Sequence, residues 1–157
     1  MREKGVTLIS PTSNFYQSNL KIMAFSPASR GWSTIKIPTK TTTAYVQGGF
    51  VYNDGSDNVP ATTTTQGNII GIMKEGKLVG TSGTASMSVL VPNSVNCTFK
   101  ALVTGTLTKA MEGDQFDFAS DVAIKQDTST YDPVTLVKFI SATEGVFKLN
   151  YTFGVEN

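Results

Sequence analysis

The sequence predicts an all-β fold: a single sandwich or barrel-like domain of short antiparallel strands with an extended N-terminal arm. Three observations predict it. Runs of five to eight residues with apolar side chains at alternate positions recur about every ten residues, separated by Gly, Asp, Asn and Pro, the spacing of a sandwich or barrel. The polar set is dominated by 22 Thr and 14 Ser, and threonine, branched and stiff at χ1, suits a half-buried pleated surface better than a helix. Long runs of Ala, Leu, Glu and Lys, the strong helix formers, are missing.

Residues 1–40 read as the arm. The short β-like pieces VTLIS, LKIMAF and STIKIP are cut by Pro11, Pro27 and Pro38, each of which removes a backbone donor and pushes its predecessor to extended geometry. Phe15, Tyr16, Phe25 and Trp32 recur there without a helical stripe. So many aromatics imply a surface to lie against, either another molecule or, as edge strands, the chain's own domain.

Residues 41–157 read as the compact β domain. TTTAYVQGGFVY alternates as a strand, with Gly48-Gly49 marking a bulge or close approach. YNDGSDNVPATTTT (52–65) reads as a turn and connection, and GNIIGIMKEGKLVG as strand, turn, strand. In ASMSVLVP, Met87, Val89 and Val91 share one face. SVNCTFKALVTGTLT is long enough for one strand kinked at Gly105, LTKAMEGD holds at most one helical turn, and MEGDQFDFAS turns into a strand with Phe116 and Phe118 on one side. VTLVKFISATEGVFKLNYTF is the clearest hairpin, with Gly145 expected to supply the positive φ of its loop.

Charge separates the two segments. Residues 1–40 carry Arg2, Lys4, Lys21, Arg30, Lys36 and Lys40 against Glu3, a net +5, whereas residues 41–157 carry seven bases and eleven acids, a net −4. The first forty residues therefore meet something different from what the rest meets, unless they are simply solvated. A lone cysteine, Cys97, excludes an internal disulfide and reads as a buried, inert thiol. The opening has too short an apolar run for a signal peptide, and no stretch is long enough to cross a bilayer as a helix. The two N-x-T matches, at Asn96 and Asn150, fall in strand-like runs where a glycan fits poorly.

Catalytic and metal chemistry find little support. Asn53, Asp54, Asp57 and Asn58 surround Gly55, but a calcium loop opened at Asp54 would need Glu where Thr65 stands, with helices on either side. Asp and Asn make such turns unaided by bonding their own backbone. The chain has no histidine, which removes Ser–His and Cys–His activation and the commonest general base. Asp114 and Asp117 sit at a spacing that places them on opposite strand faces, a poor carboxylate pair. S-x-x-K occurs at Ser18–Lys21 and Ser33–Lys36 without companion motifs, and KEGKLVGTSG lacks the Walker spacing. Six scattered bases with aromatics are thin support for single-stranded nucleic acid. No catalytic residue, cofactor or metal is assigned, and the expectation is a protein that is not an enzyme.

The order and texture of GGFVYNDGSDNVPATTTTQGNIIGIM, VLVPNSVNCTF, GTLTKAMEGDQFDFAS and VTLVKFISATEGVFKLN resemble the decoration, or cement, proteins of tailed-bacteriophage heads over residues 45–150. That resemblance implies a compact β domain, often trimeric, made in the host bacterial cytoplasm. It would sit on the outer surface of the virion and tie major capsid subunits together. The expected partners are then the major capsid protein and further copies of the chain, with no membrane and no nucleic acid. Expected capsid-binding residues are Phe15, Tyr16 and Trp32 as apolar anchors, and Arg2, Arg30 and Lys36 to steer the arm to acidic shell surface. The rivals are a head-fibre, tail or baseplate component, a carbohydrate-binding adhesin module with Trp32 and Tyr45 as sugar platforms, and, last, an enzyme built on Asp114 or Asp117.

Overall fold

The computed structural model describes residues 25–40, 42–65, 67–78, 86–126 and 130–150. Arg2, Phe15, Tyr16 and the Ser18–Lys21 match lie outside them. The fold is all-β, as expected. Thirteen strands run in chain order: β1 (Phe25–Pro27), β2 (Trp32–Pro38), β3 (Ala44–Tyr45), β4 (Phe50–Asn53), β5 (Asn58–Pro60), β6 (Ile69–Met73), β7 (Lys77–Leu78), β8 (Ser86–Pro92), β9 (Thr98–Thr104), β10 (Gln115–Ser120), β11 (Ala123–Lys125), β12 (Val134–Ser141) and β13 (Glu144–Leu149). A single 3-10 turn, Lys109–Met111, interrupts them among the described residues.

Two assemblies result. In the first, β9 pairs with β13, β13 with β12, β12 with β10, β10 with β11, and β11 back with β9, so the pairings close into a five-stranded ring. The β11–β9 pair is parallel and the other four are antiparallel. β1 lies antiparallel on β9 beside residues 99–101, in tandem with β11 along the same side. The second assembly is an open antiparallel sheet in the order β2-β8-β6-β4-β5. A short ribbon, β3 with β7, completes the set.

The core follows from alternation. Phe99, Ala101 and Val103 on β9, Phe116 and Phe118 on β10, and Phe147 and Leu149 on β13 are all buried, together with Phe25, Phe50, Ile69 and Ile72. Phe50 meets Phe25 at a ring-centroid distance of 4.7 Å, Phe99 at 4.8 Å and Phe118 at 5.3 Å, tilted or edge-on. Burying one such ring contributes about 1.5–3 kcal/mol, and favourable edge geometry adds roughly 0.5–1.5 kcal/mol per pair. The open sheet's other face holds a second cluster of Ile37, Tyr45, Val51, Ile70, Met73, Met87 and Val89, which is why all five residues of β6 are buried.

Several expectations change. Of the first forty residues, 25–38 are strands of the domain itself: Phe25 pairs with Ala101 and is buried, and β2 pairs with β8 along its whole length. The edge-strand alternative therefore describes this part, because Phe25 gains an aromatic pocket that no extended arm in water could give it. TTTAYVQGGFVY is two strands: Gly48 has φ 79, the N–H of Gly49 donates to the Val46 carbonyl at 3.0 Å, and the chain reverses before β4. Gly145 is a buried residue inside β13, not a loop residue. A Cβ there would lie 2.6 Å from Leu136 Cδ1 and 2.9 Å from Phe147 Cε2, so any larger residue would force these buried side chains to shift. Asn96 lies exposed in the turn before β9 rather than in a strand.

Candidate functional site

Each strand of the five-stranded ring pairs on two sides, β1 leaves only a three-residue edge, and the longest described edge lies on the open sheet. One end of that sheet is β5, three residues finishing in Pro60, which has no N–H to offer. The other is β2, seven residues long. Its pairing with β8 runs from Trp32 opposite Pro92 to Pro38 opposite Ser86, and no described strand lies on its far side. Alternate residues of β2 therefore turn N–H and C=O groups away from β8, to a side where no described strand pairs with them. Ser33, Thr34, Ile35 and Lys36 are exposed in succession, Ile35 to 43%.

The turn ahead of β2 is firmly built. Gly31, at φ 96, accepts at its carbonyl from the Asn93 N–H at 2.7 Å and from the Cys97 thiol at 3.1 Å. Ala28 N donates to Thr98 O at 2.8 Å, and Thr98 N donates to Ser29 Oγ at 2.8 Å. Two chain crossings are thus strapped together, residues 28–31 entering the open sheet and residues 93–97 leaving it. Cys97 is buried beneath them as a free thiol, in the role expected of it.

Three of the six expected partner-binding residues are described, and they follow one another along this turn and strand. Arg30 is exposed in the strapped turn, Trp32 opens β2, and Lys36 is exposed near its end. Lys74 adds a third cation, its Nζ donating to Thr34 Oγ1 at 3.3 Å. Trp32 is half-buried against the main core, so its ring holds the start of the edge and only part of it faces outward. Its indole Nε1 is enclosed without an acceptor. Sequence reasoning missed Ile35 and the free backbone itself. The signal was present in STIKIP, an alternating run ended by Pro38, but it was assigned to the arm.

The remaining candidates resolve into structural roles. Residues 53–58 form the β4–β5 hairpin turn: Asn53 Oδ1 accepts from Gly55 N at 2.9 Å, and Asp54 Oδ1 accepts from Ser56 N at 2.9 Å and Asp57 N at 2.7 Å. Those amide donors from Asp57 and Ser56 hold the Asp54 carboxyl below its ordinary value. Lys40 pairs with Asp57 at 3.1 Å, and that hydrogen bond and charge push the lysine up. Thr65 is buried, its Oγ1 accepting from Thr62 N at 2.8 Å. Tyr45 is buried too, accepting from Lys40 N and donating to Asn58 O, with burial raising its phenol. It offers no sugar platform. Among the described residues no three acidic or cysteine side chains gather as a metal site.

Asp114 and Asp117 are not brought together as a pair. Asp114 is exposed ahead of β10, whereas Asp117 is buried, its two oxygens accepting from the backbone N–H groups of Thr130, Tyr131 and Asp132 at 2.9, 2.9 and 3.0 Å. Asp117 thus folds the segment leading into β12. Replacing it with Ala should cost about 2–3 kcal/mol, because buried donors lose a charged acceptor. Asp117→Asn, which keeps one acceptor, should cost less. Urea denaturation of both variants checks this, and equal losses would contradict it.

No family model matches the chain, and no curated protein matches it.

Proposed function

We propose that the protein is a non-enzymatic structural protein of a tailed-bacteriophage virion, a capsid decoration or cement protein that binds the outer surface of the major capsid shell and stabilises it. It acts as a homo-oligomer, a trimer in this reading, so that several modest contacts per particle add by avidity. The observation that carries the proposal is the β2 edge, unpaired among the described residues, with Ile35 and Lys36 on it and Arg30 in the turn before it. An exposed edge of this length is an aggregation hazard unless it has a destined partner. A strand of the shell subunit docking there would satisfy the outward backbone groups. Lys36 and Arg30 steer the approach to acidic surface. Residues 1–24, with Arg2, Phe15 and Tyr16, extend the contact. An arm truncation that tests them must stop at residue 24, since β1 and β2 belong to the domain.

The test is mixing with undecorated shells, followed by sedimentation. Ile35→Asp combined with Lys36→Glu, both at exposed positions, should leave the melting temperature nearly unchanged and weaken shell binding at least about tenfold, equivalent to roughly 1.4 kcal/mol. Wild-type protein that ignores shells would sink the virion reading. A double variant that binds as well as wild type would sink the role of β2. A head-fibre, tail or baseplate component would use the same edge, and negative-stain labelling of particles separates these placements.

A further inference from the structure

Strands β9, β13 and β12 turn one set of side chains into the core and the other outward. The inward set is Phe99, Ala101, Phe147, Leu149, Val134 and Leu136. In the outward set, Val146 lies between Lys100 on β9 and Lys138 on β12, in register with both. Lys148, two residues along β13, lies between Thr98 and Thr135. A register irregularity between Leu136 and Lys138 inserts one residue, so that Val137 and Lys138 together oppose Val146. Leu102 and Val137 are each 44% exposed. Lys100 and Lys138 stand two strand spacings apart, about 10 Å, with Lys148 nearer to each.

The three lysines stand on one outward face. Like charges on neighbouring strands repel, and none of the three lysines has an ion-pair partner among the described residues. The carboxylates nearest the patch leave it positive. Glu144, two residues before Val146 on the same outward row, opposes Leu102, and Glu112 accepts from the Phe139 N–H at 2.9 Å, so the three lysines stand against two acids. Beside Lys148 the surface sinks into an open cleft of about 520 Å³, with Thr98, Thr135, Val137 and the Glu112 carboxylate among its walls.

We propose that the outer face of β9, β13 and β12 is a docking surface for an acidic segment of another protein, its carboxylates over Lys100, Lys138 and Lys148 and its aliphatic side chains on Leu102, Val137 and Val146. A protein fits better than a nucleic acid, because among the described residues the face presents no exposed aromatic ring or guanidinium for base stacking, while its aliphatic surface wants an apolar counterpart. The proposal stands apart from the virion reading, since it concerns the closed ring rather than the β2 edge.

Amide NMR titration of the full chain with a random Glu–Leu copolymer tests it, with oligo-dT and phosphatidylglycerol vesicles in parallel. The expected result is saturable shifts confined to residues 98–102, 135–140 and 144–148, weakening as salt is raised. The triple variant Lys100→Gln, Lys138→Gln, Lys148→Gln should bind about tenfold more weakly, since each exposed charge pair contributes only severalfold. Its substitutions face solvent, and an unchanged spectrum elsewhere confirms its fold. Absent shifts, shifts on another face, undiminished binding by the triple variant, or tighter binding of oligo-dT or vesicles than of the copolymer would each overturn the proposal.

Discussion

Gly71→Ala is expected to remove a large part of the folding stability. Gly71 lies in the middle of β6, opposite Val51 on β4 and facing the β8 backbone. A Cβ built there would stand 2.0 Å from the Leu90 carbonyl oxygen and 2.8 Å from its carbon. Those are backbone atoms of a paired strand, so no side chain can swing aside to make room. Relief requires β8 to move away from β6, which breaks the pairing of Ile72 with Leu90 and Met73 with Val89 and carries β2 with it. Ordinary overpacking costs about 1–3 kcal/mol; here the loss should exceed roughly 3 kcal/mol, a large part of a typical 5–15 kcal/mol total. Far-ultraviolet circular dichroism with urea titration is the check. Gly55→Ala is the contrast: nothing lies within 4 Å of its Cβ, but its φ of +100 leaves a smaller backbone strain, about 1 kcal/mol. A folded Gly71→Ala protein with near-native stability would contradict the close approach of β6 and β8.

Phe99→Ala should be nearly as damaging, at about 3–5 kcal/mol. Phe99 is fully buried and its ring touches Phe50, Phe25 and Phe147 at centroid distances of 4.8, 5.6 and 6.1 Å. It also sits on β9, the strand that pairs with β1, β11 and β13. Removing it opens a cavity where the ring and the open sheet share one core. The exposed Ile35→Ala, by comparison, should change stability by no more than a few tenths of a kcal/mol. Equilibrium denaturation separates the two, and a Phe99→Ala loss below about 1 kcal/mol would mean that the aromatic cluster is not the keystone of the fold.

The parts of this structure legible in the sequence are those set by local pattern. Alternation in MSVLVP, TFKALV and VTLVKFIS marks strands whatever they pair with, and the Asn and Asp side chains of 53–58 make their turn from their own neighbours. What was not legible depends on distant residues. Nothing near Phe25 says that it will lie against Phe99, and nothing near Gly145 says that Leu136 will occupy the space above it. The candidate site shares this division. Arg30, Trp32 and Lys36 stood out by residue type, whereas the value of Ile35 depends on β2 being the last strand of a sheet, which is a property of the topology.

The ring also constrains when the molecule can be completed. Phe25 pairs with Ala101, Trp32 with Pro92, and β9 with strands that end at Leu149, so nearly every decisive contact spans a long stretch of chain. Such non-local pairing is slow, because loop-closure entropy is lost before any contact compensates it. On the ribosome, β1 must wait for residues 99–101 to emerge, and the ring stays open until β13 is free. Until that moment its rows of amides and carbonyls are as bare as those of β2, and unpaired edges of this kind are prone to aggregate while they stay exposed.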